Sequence, residues 1–193
     1  VRINFSGLKP KFKKDIIVPA KALALVSRSA EENENTMAVD SSHVQFTFGN
    51  TTLTSRLIEE SYPNYESVIP LDNEKKLAVG RDLLLASVKR VSLYSSSTTH
   101  QVRFALKKNE MLVTAEDIDF GGEAKEKIPC HYDDEPIEIG FNSSYVVDIL
   151  SHIESDDVVF RFSSSVRAAI VAPATQRENE DVLMLVMPMR LNN

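Results

Sequence analysis

The 193-residue chain is 42% apolar and 26% charged, the balance of an ordinary globular protein long enough to bury a real core. No apolar run approaches a membrane-crossing length, no charged-then-apolar leader opens the sequence, and the single cysteine, Cys130, has no partner for an internal disulfide, so a reducing cytoplasmic setting is expected. A formal net charge of −6 excludes a surface that grips nucleic acid all over, but not one that gathers its cations on a single face.

In chain order, Val1-Arg2-Ile3-Asn4-Phe5 alternates apolar and polar, as the last strand of a preceding unit would, and a basic loop from Lys9 to Lys14 follows. Then comes a plan that repeats. The β-rich run Ile16-Ile17-Val18-Pro19 leads into a helical stretch, AKALALVSRSAEE, and three strand-like runs follow at Thr36–Asp40, His43–Phe48 and Thr51–Ile58. Leu77-Ala78-Val79-Gly80 leads into RDLLLASVKRVSLY, followed by Val102–Leu106, Met111–Ala115 and a longer run ending near Tyr132. Ile137-Glu138-Ile139-Gly140 leads into FNSSYVVDILSHI, followed by Val158–Phe162, Ala168–Val171 and Val182–Met187. Gly49-Asn50, Lys108-Asn109 and Gly121-Gly122 supply turns between strands.

The punctuating residues Pro19, Gly80 and Gly140 stand 61 and 60 positions apart (80 − 19 and 140 − 80), which marks an internal repeat of strand, helix and three strands. Each helix has a start signal. Pro19 suits a first helical position, Asp82 lies in the first turn of the second helix, and Asn142 is a good N-cap for the third. Val146, Ile149, Leu150 and Ile153 recur at helical spacing and are expected to face a core. A unit of one helix and three strands leaves a sheet edge and an apolar face open, so such units should pair. Units two and three can pair with each other; unit one has no mate, and a partner unit is expected before Val1. The fold class is α+β.

The run SRLIEESYPNYESVIP (Ser55–Pro70) resembles the link between the middle and last domains of the bacterial DNA sliding clamp family, the beta subunit of DNA polymerase III. EIGFNSSYVVDIL (Glu138–Leu150) is similar to the family's last inner helix, and VMPMRL (Val186–Leu191) to its terminal motif, here extended by Asn192 and Asn193. The motifs match in order and spacing over essentially the whole chain. The resemblance implies the DNA-clamp (processivity) fold, with β-α-β-β-β units, antiparallel outer sheets and inner helices. Residues 1–70 would then be the second half of the middle domain and residues 71–193 the complete C-terminal domain.

The resemblance further implies a non-enzymatic homodimeric ring around double-stranded DNA, bound without regard to sequence and without a cofactor or metal. Lys21 and Arg28, seven residues apart and so on one helical face, match basic positions of the DNA-facing helices; Lys89 and Arg90 are further candidates. Replicative and translesion polymerases, the clamp loader and repair proteins would insert a short peptide into an apolar groove. Carried over by position, that groove comprises Pro63, Val68, Asn142, Tyr145, Val166, Leu185, Met187, Pro188, Met189, Arg190 and Leu191. Flexible methionines let one pocket accept different apolar anchors. Leu93 and Tyr94 match apolar positions of the head-to-tail subunit interface.

Some positions depart from the family pattern. Glu66 and Ser67 replace frequent basic residues, Thr99 stands near an aromatic rim position, and Ala168 replaces a frequent serine. One wall of the groove, a threonine-aspartate…histidine-basic-leucine stretch, would end just before Val1. Without the resemblance, Leu185–Leu191 reads as a buried last strand, while Leu93 and Tyr94 fit core as well as an interface and Lys21 and Arg28 fit a solvated face as well as a DNA-facing one. Enzymatic readings fare worse: Glu116, Asp117 and Asp119 look like a solvated turn, and His43, His100, His131 and His152 match no metal spacing. His131 beside Cys130 lacks a third partner. The alternative is an interaction module of repeated units that never surrounds DNA.

Overall fold

The computed structural model describes residues 1–6, 14–30 and 35–191. The basic loop up to Lys13, the expected helix end at Glu31-Glu32, and Asn192-Asn193 lie outside the described residues. By contacts the chain divides into Lys9–Asn64 and a larger unit made of Val1–Leu8 with Tyr65–Asn193.

In the larger unit the lead strands change places. β5 (Lys75–Gly80) runs into α2 (Arg81–Val91), but it pairs with β11 (Asp157–Phe162) of the next repeat, Leu77 opposite Phe160. β10 (Ile137–Asn142) runs into α3 (Ser143–Ser151) and pairs back onto β6 (Gln101–Lys107), Ile139 opposite Phe104. Each repeat thus completes the other's sheet, which meets the pairing expected of units two and three. β7 (Glu110–Asp117) and β8 (Gly122–Pro129) extend one sheet in the order β10-β6-β7-β8. The other runs β1-β13-β12-β11-β5-β9, using β9 (His131–Tyr132), β12 (Ala169–Pro173) and β13 (Glu180–Val186).

All pairings are antiparallel, and along β6 and β7 every second side chain is buried, the pattern of sheets with one face on a core. α2 turns Leu84, Val88 and Val91 inward, α3 turns Val146, Ile149 and Leu150 inward, and the two helices pack on each other. Phe104 sits edge-on to Phe141 at 5.3 Å and to Phe160 at 6.4 Å, so strands from both sheets share one core.

β1 (Arg2–Phe5) adds to β13 with Arg2 opposite Leu183 and Phe5 opposite Glu180. Arg2 pairs with Asp181 at 2.9 Å, and Asn4 donates to the same carboxylate. The sequence reads this strand as the last of a preceding unit; its hydrogen bonds tie it to β13.

In the smaller unit β2 (Asn35–Val39), β3 (His43–Phe48) and β4 (Thr51–Arg56) form a meander. Asp40 closes the β2–β3 turn by accepting from the Ser42 and His43 amides, and Gly49, at φ +53°, makes the β3–β4 turn where a Cβ would be strained. α1 (Ala20–Ser29) begins one position later than expected, with Pro19 as N-cap and its carbonyl accepting from Ala22 and Leu23. Ile16–Val18, expected as a lead strand, is not one: its link to the meander is the Ile58 amide donating to the Ile17 carbonyl. In the larger unit a lead strand pairs with the first strand of a mate repeat, and Ile16–Val18 has no such strand among the described residues.

Candidate functional site

The terminal segment is placed by β13 and then by a glycine. Along β13, Met184 and Val186 are buried, while Leu185 and, just past the strand, Met187 alternate outward. After Pro188, which has no N–H to give, the Met189 amide donates to the Gly140 carbonyl at 2.8 Å and Gln101 Nε2 donates to the Arg190 carbonyl at 3.1 Å. The chain can lie this close because residue 140 has no side chain: a Cβ there would fall 2.9 Å from the Met189 carbonyl and 2.8 Å from Leu191 Cδ2. The tail thereby crosses from one sheet to the first strand of the other, beside the start of α3. Asn142 caps that helix by accepting from the Ser144 amide at 2.9 Å, and its Nδ2 donates to the Thr99 carbonyl.

The same end of β13 faces the β11–β12 turn. Ala169 pairs with Val186, a register that sets Ala168 abreast of Met187. Asn73, 9% exposed, donates to the Arg161 and Ala168 carbonyls at 3.0 and 2.9 Å, and Arg167 pairs with Asp72. These bonds pin the segment after the short 3₁₀ turn Tyr65–Val68 against that corner. Val68, Tyr145, Val166 and Met187 are each 60–64% exposed, and Met187 stands beside the corner that carries Val166. Large apolar side chains left in the open on the elements around this corner are candidates for an interaction surface. Leu185, Pro188, Met189 and Leu191 are half-buried, Arg190 is exposed, and Pro63, in the smaller unit, is exposed. Sequence reasoning missed Asn73, Asp72 and Arg167, because a loop amide that ties down two carbonyls leaves no pattern in the chain.

Lys21 and Arg28 are both exposed on α1, about 20° apart around the helix axis at 100° per residue. On α2 the two basic candidates separate. Arg90 makes a two-pronged bond to Glu126 of β8 at 2.7 and 2.7 Å, so its charge is committed to the sheet; that bond holds the Glu126 carboxyl below its ordinary pKa, against the opposing effect of burial. Lys89 projects from the face of α2 opposite the buried Leu84 and Val88.

Leu93 and Tyr94 form the 3₁₀ turn that ends α2 and are 81% and 51% exposed, not core. The Tyr94 ring lies 3.5 Å from where a Gly122 Cβ would stand, beside β8, which is the edge of its sheet. The acidic trio does form a turn: Asp117 accepts from the Asp119 and Phe120 amides. Cys130 is 7% exposed, and burial, helped by Glu110, pushes its thiol pKa up, away from nucleophilic use.

Comparison with known proteins agrees with this architecture. The family described as DNA polymerase III beta subunit matches twice, its central domain over residues 3–64 and its C-terminal domain over residues 66–190. The chain therefore belongs to the DNA polymerase III beta subunit family and has the DNA-clamp fold. It is 33% identical to the beta sliding clamp of Caulobacter vibrioides over 91% of this chain and 47% of that one. It is 30% identical to that of Chlamydia muridarum over 97% and 50% respectively. A crystal structure of the sliding clamp from Pseudomonas aeruginosa bound to griselimycin superposes with a TM-score of 0.85 at 30% identity, over 91% of this chain and 47% of that one. The chain spans about half the length of the curated relatives it matches.

Proposed function

We propose that this chain acts as the C-terminal portion of a sliding clamp: a non-catalytic ring in the cytoplasm that surrounds duplex DNA and tethers the replicative polymerase and other DNA enzymes. The carrying observation is that the two repeats complete each other's sheets with α2 and α3 packed together, while both ends of the sheet system suit extension. One end, β13, is already lengthened by β1; the other, β8, ends its sheet beside exposed Leu93 and Tyr94. Bricks that join edge to edge can close into a ring when the rotation allows, here as a head-to-tail homodimer with Leu93 and Tyr94 in the joint. Residues 1–70 serve as the second half of the middle domain and residues 71–193 as the last.

Encirclement holds DNA by topology, so few contacts blind to sequence are enough, and Lys21 and Arg28 supply them on this reading. Partner peptides dock around Val68, Asn142, Tyr145, Val166 and Leu185–Leu191; griselimycin, bound by the Pseudomonas relative, serves as a probe of this reading. Binding needs no cofactor or metal.

The deciding experiment loads the full-length gene product onto a nicked circular plasmid with its clamp loader. A complex that survives gel filtration on the circle and is lost once the plasmid is cut supports the reading. Retention on the linear plasmid, or failure to load at all, favours an interaction module instead. With Lys21→Glu and Arg28→Glu combined, loading should fall, and unchanged loading and processivity would remove the DNA-facing role.

A further inference from the structure

From the exposure and grouping of its methionines, we propose that Met187, with Met189 beside it, is a reversible oxidation site that switches partner docking off. The inference rests on the groove reading above. The chain has five methionines, and three lie within the last ten residues: Met184, Met187 and Met189. Their surroundings differ sharply. Met184 and Met111 are closed into the core at 3% and 0% exposure, Met189 is half-buried, and Met187 is 64% exposed because the period of β13 turns it outward. Proline at 188 and the bond between Met189 and Gly140 fix the backbone here, so the thioether is presented at a set place.

A protein thiol is usually the first group an oxidant meets. Here the lone thiol, Cys130, is buried and kept protonated, which removes the competing thiolate. The exposed thioethers are left as the accessible two-electron reductants. Met37, 53% exposed on β2, is the other, and it lies outside the docking surface.

The chemistry balances with a peroxide as co-reactant. The Met187 sulfur attacks one peroxide oxygen, an S–O bond forms as the O–O bond breaks, sulfur loses two electrons, and the other oxygen departs as hydroxide, which takes the proton from the transferred oxygen and leaves as water. The product sulfoxide is polar and chiral where the groove offers an apolar, pliable surface. A thiol-dependent sulfoxide reductase would reverse it.

The test uses the full-length gene product, hydrogen peroxide as oxidant and griselimycin as the binding probe. Peptide mass mapping should find the one-oxygen gain at Met187 and Met37 before Met184 or Met111. Griselimycin affinity of the treated protein should fall by roughly tenfold or more. Reductase treatment should restore it. In the Met187→Leu, Met189→Leu double variant, whatever its starting affinity, the ratio of treated to untreated affinity should be close to one, while Met37→Leu should leave the native ratio. A native-sized loss in the double variant overturns the inference, as does full affinity in protein shown to carry the Met187 sulfoxide. Untreated protein that never binds griselimycin overturns the groove reading itself and takes this inference with it.

Discussion

Gly140→Ala tests how the terminal segment is held. In an ordinary strand the change stabilises by about 0.4–1 kcal/mol, because alanine has less chain entropy to lose on folding. Here three atoms oppose it: Gln101 Nε2 at 2.8 Å, Leu191 Cδ2 at 2.8 Å and the Met189 carbonyl at 2.9 Å from the new Cβ. The first two belong to side chains that can swing away. The third is backbone, tied to strand β10 by the Met189 amide, so it moves only by giving up the 2.8 Å bond to residue 140. Overpacking costs about 1–3 kcal/mol and the lost hydrogen bond about 0.5–1.5 kcal/mol, so the net is a loss of about 2 kcal/mol. For a chain of this size that lowers Tm by roughly 4–8 °C. Amide hydrogen exchange reads the local event, since Met189 should lose protection while Met184 keeps it. A variant that melts within about 1 °C of the parent with Met189 still protected would refute the reasoning.

Asn142→Ala removes the cap on α3 and should cost about 1 kcal/mol in chemical denaturation, whereas Asn142→Asp should cost less because a carboxylate can still accept from Ser144. Asn73→Asp sets an acceptor against the Arg161 and Ala168 carbonyls; it should cost about 3 kcal/mol, more than Asn73→Ala, and the reverse order would remove the pinning role. Burial first, then Asp134 and Glu135, push the Tyr132 pKa up from 10.0 to about 12. The unfolded chain therefore releases this proton at lower pH than the folded one, and the associated stability is complete below pH 10 and lost as pH rises towards 12. Denaturation midpoints across that window should decline less in Tyr132→Phe, and an equal decline would rule the group out.

Much of the fold could be read in advance because its cues are local. Helical spacing in Val146, Ile149, Leu150 and Ile153 requires only neighbours in sequence, and those residues are buried as expected. The Asn142 cap likewise depends on a bond two residues away. What depends on distant partners was not legible. Ile16–Val18 has the composition of a strand but no ladder, and Arg90 looks like a free cation until Glu126, 36 residues on, is seen to take it. Val68, Tyr145, Val166 and Met187 were singled out by family resemblance, and each is exposed. Composition alone would have buried Leu185–Leu191, and of these seven residues Val186 is buried and four more are partly covered. The bonds from Asn73 and from Arg167 to Asp72 reach across 88 to 95 residues and carry no sequence period.

The joining of the first strand to the last has a consequence for how the chain is made. Arg2 and Asp181 are 179 positions apart, so this edge of the six-stranded sheet cannot form until the chain through β13 has left the ribosome. At about 5–20 residues per second, β1 waits on the order of ten seconds or more, holding Val1, Ile3 and Phe5 without their final neighbour. Completing the sheet is then a late, long-range closure, and that waiting strand is where a nascent chain would be most open to pairing with the wrong molecule.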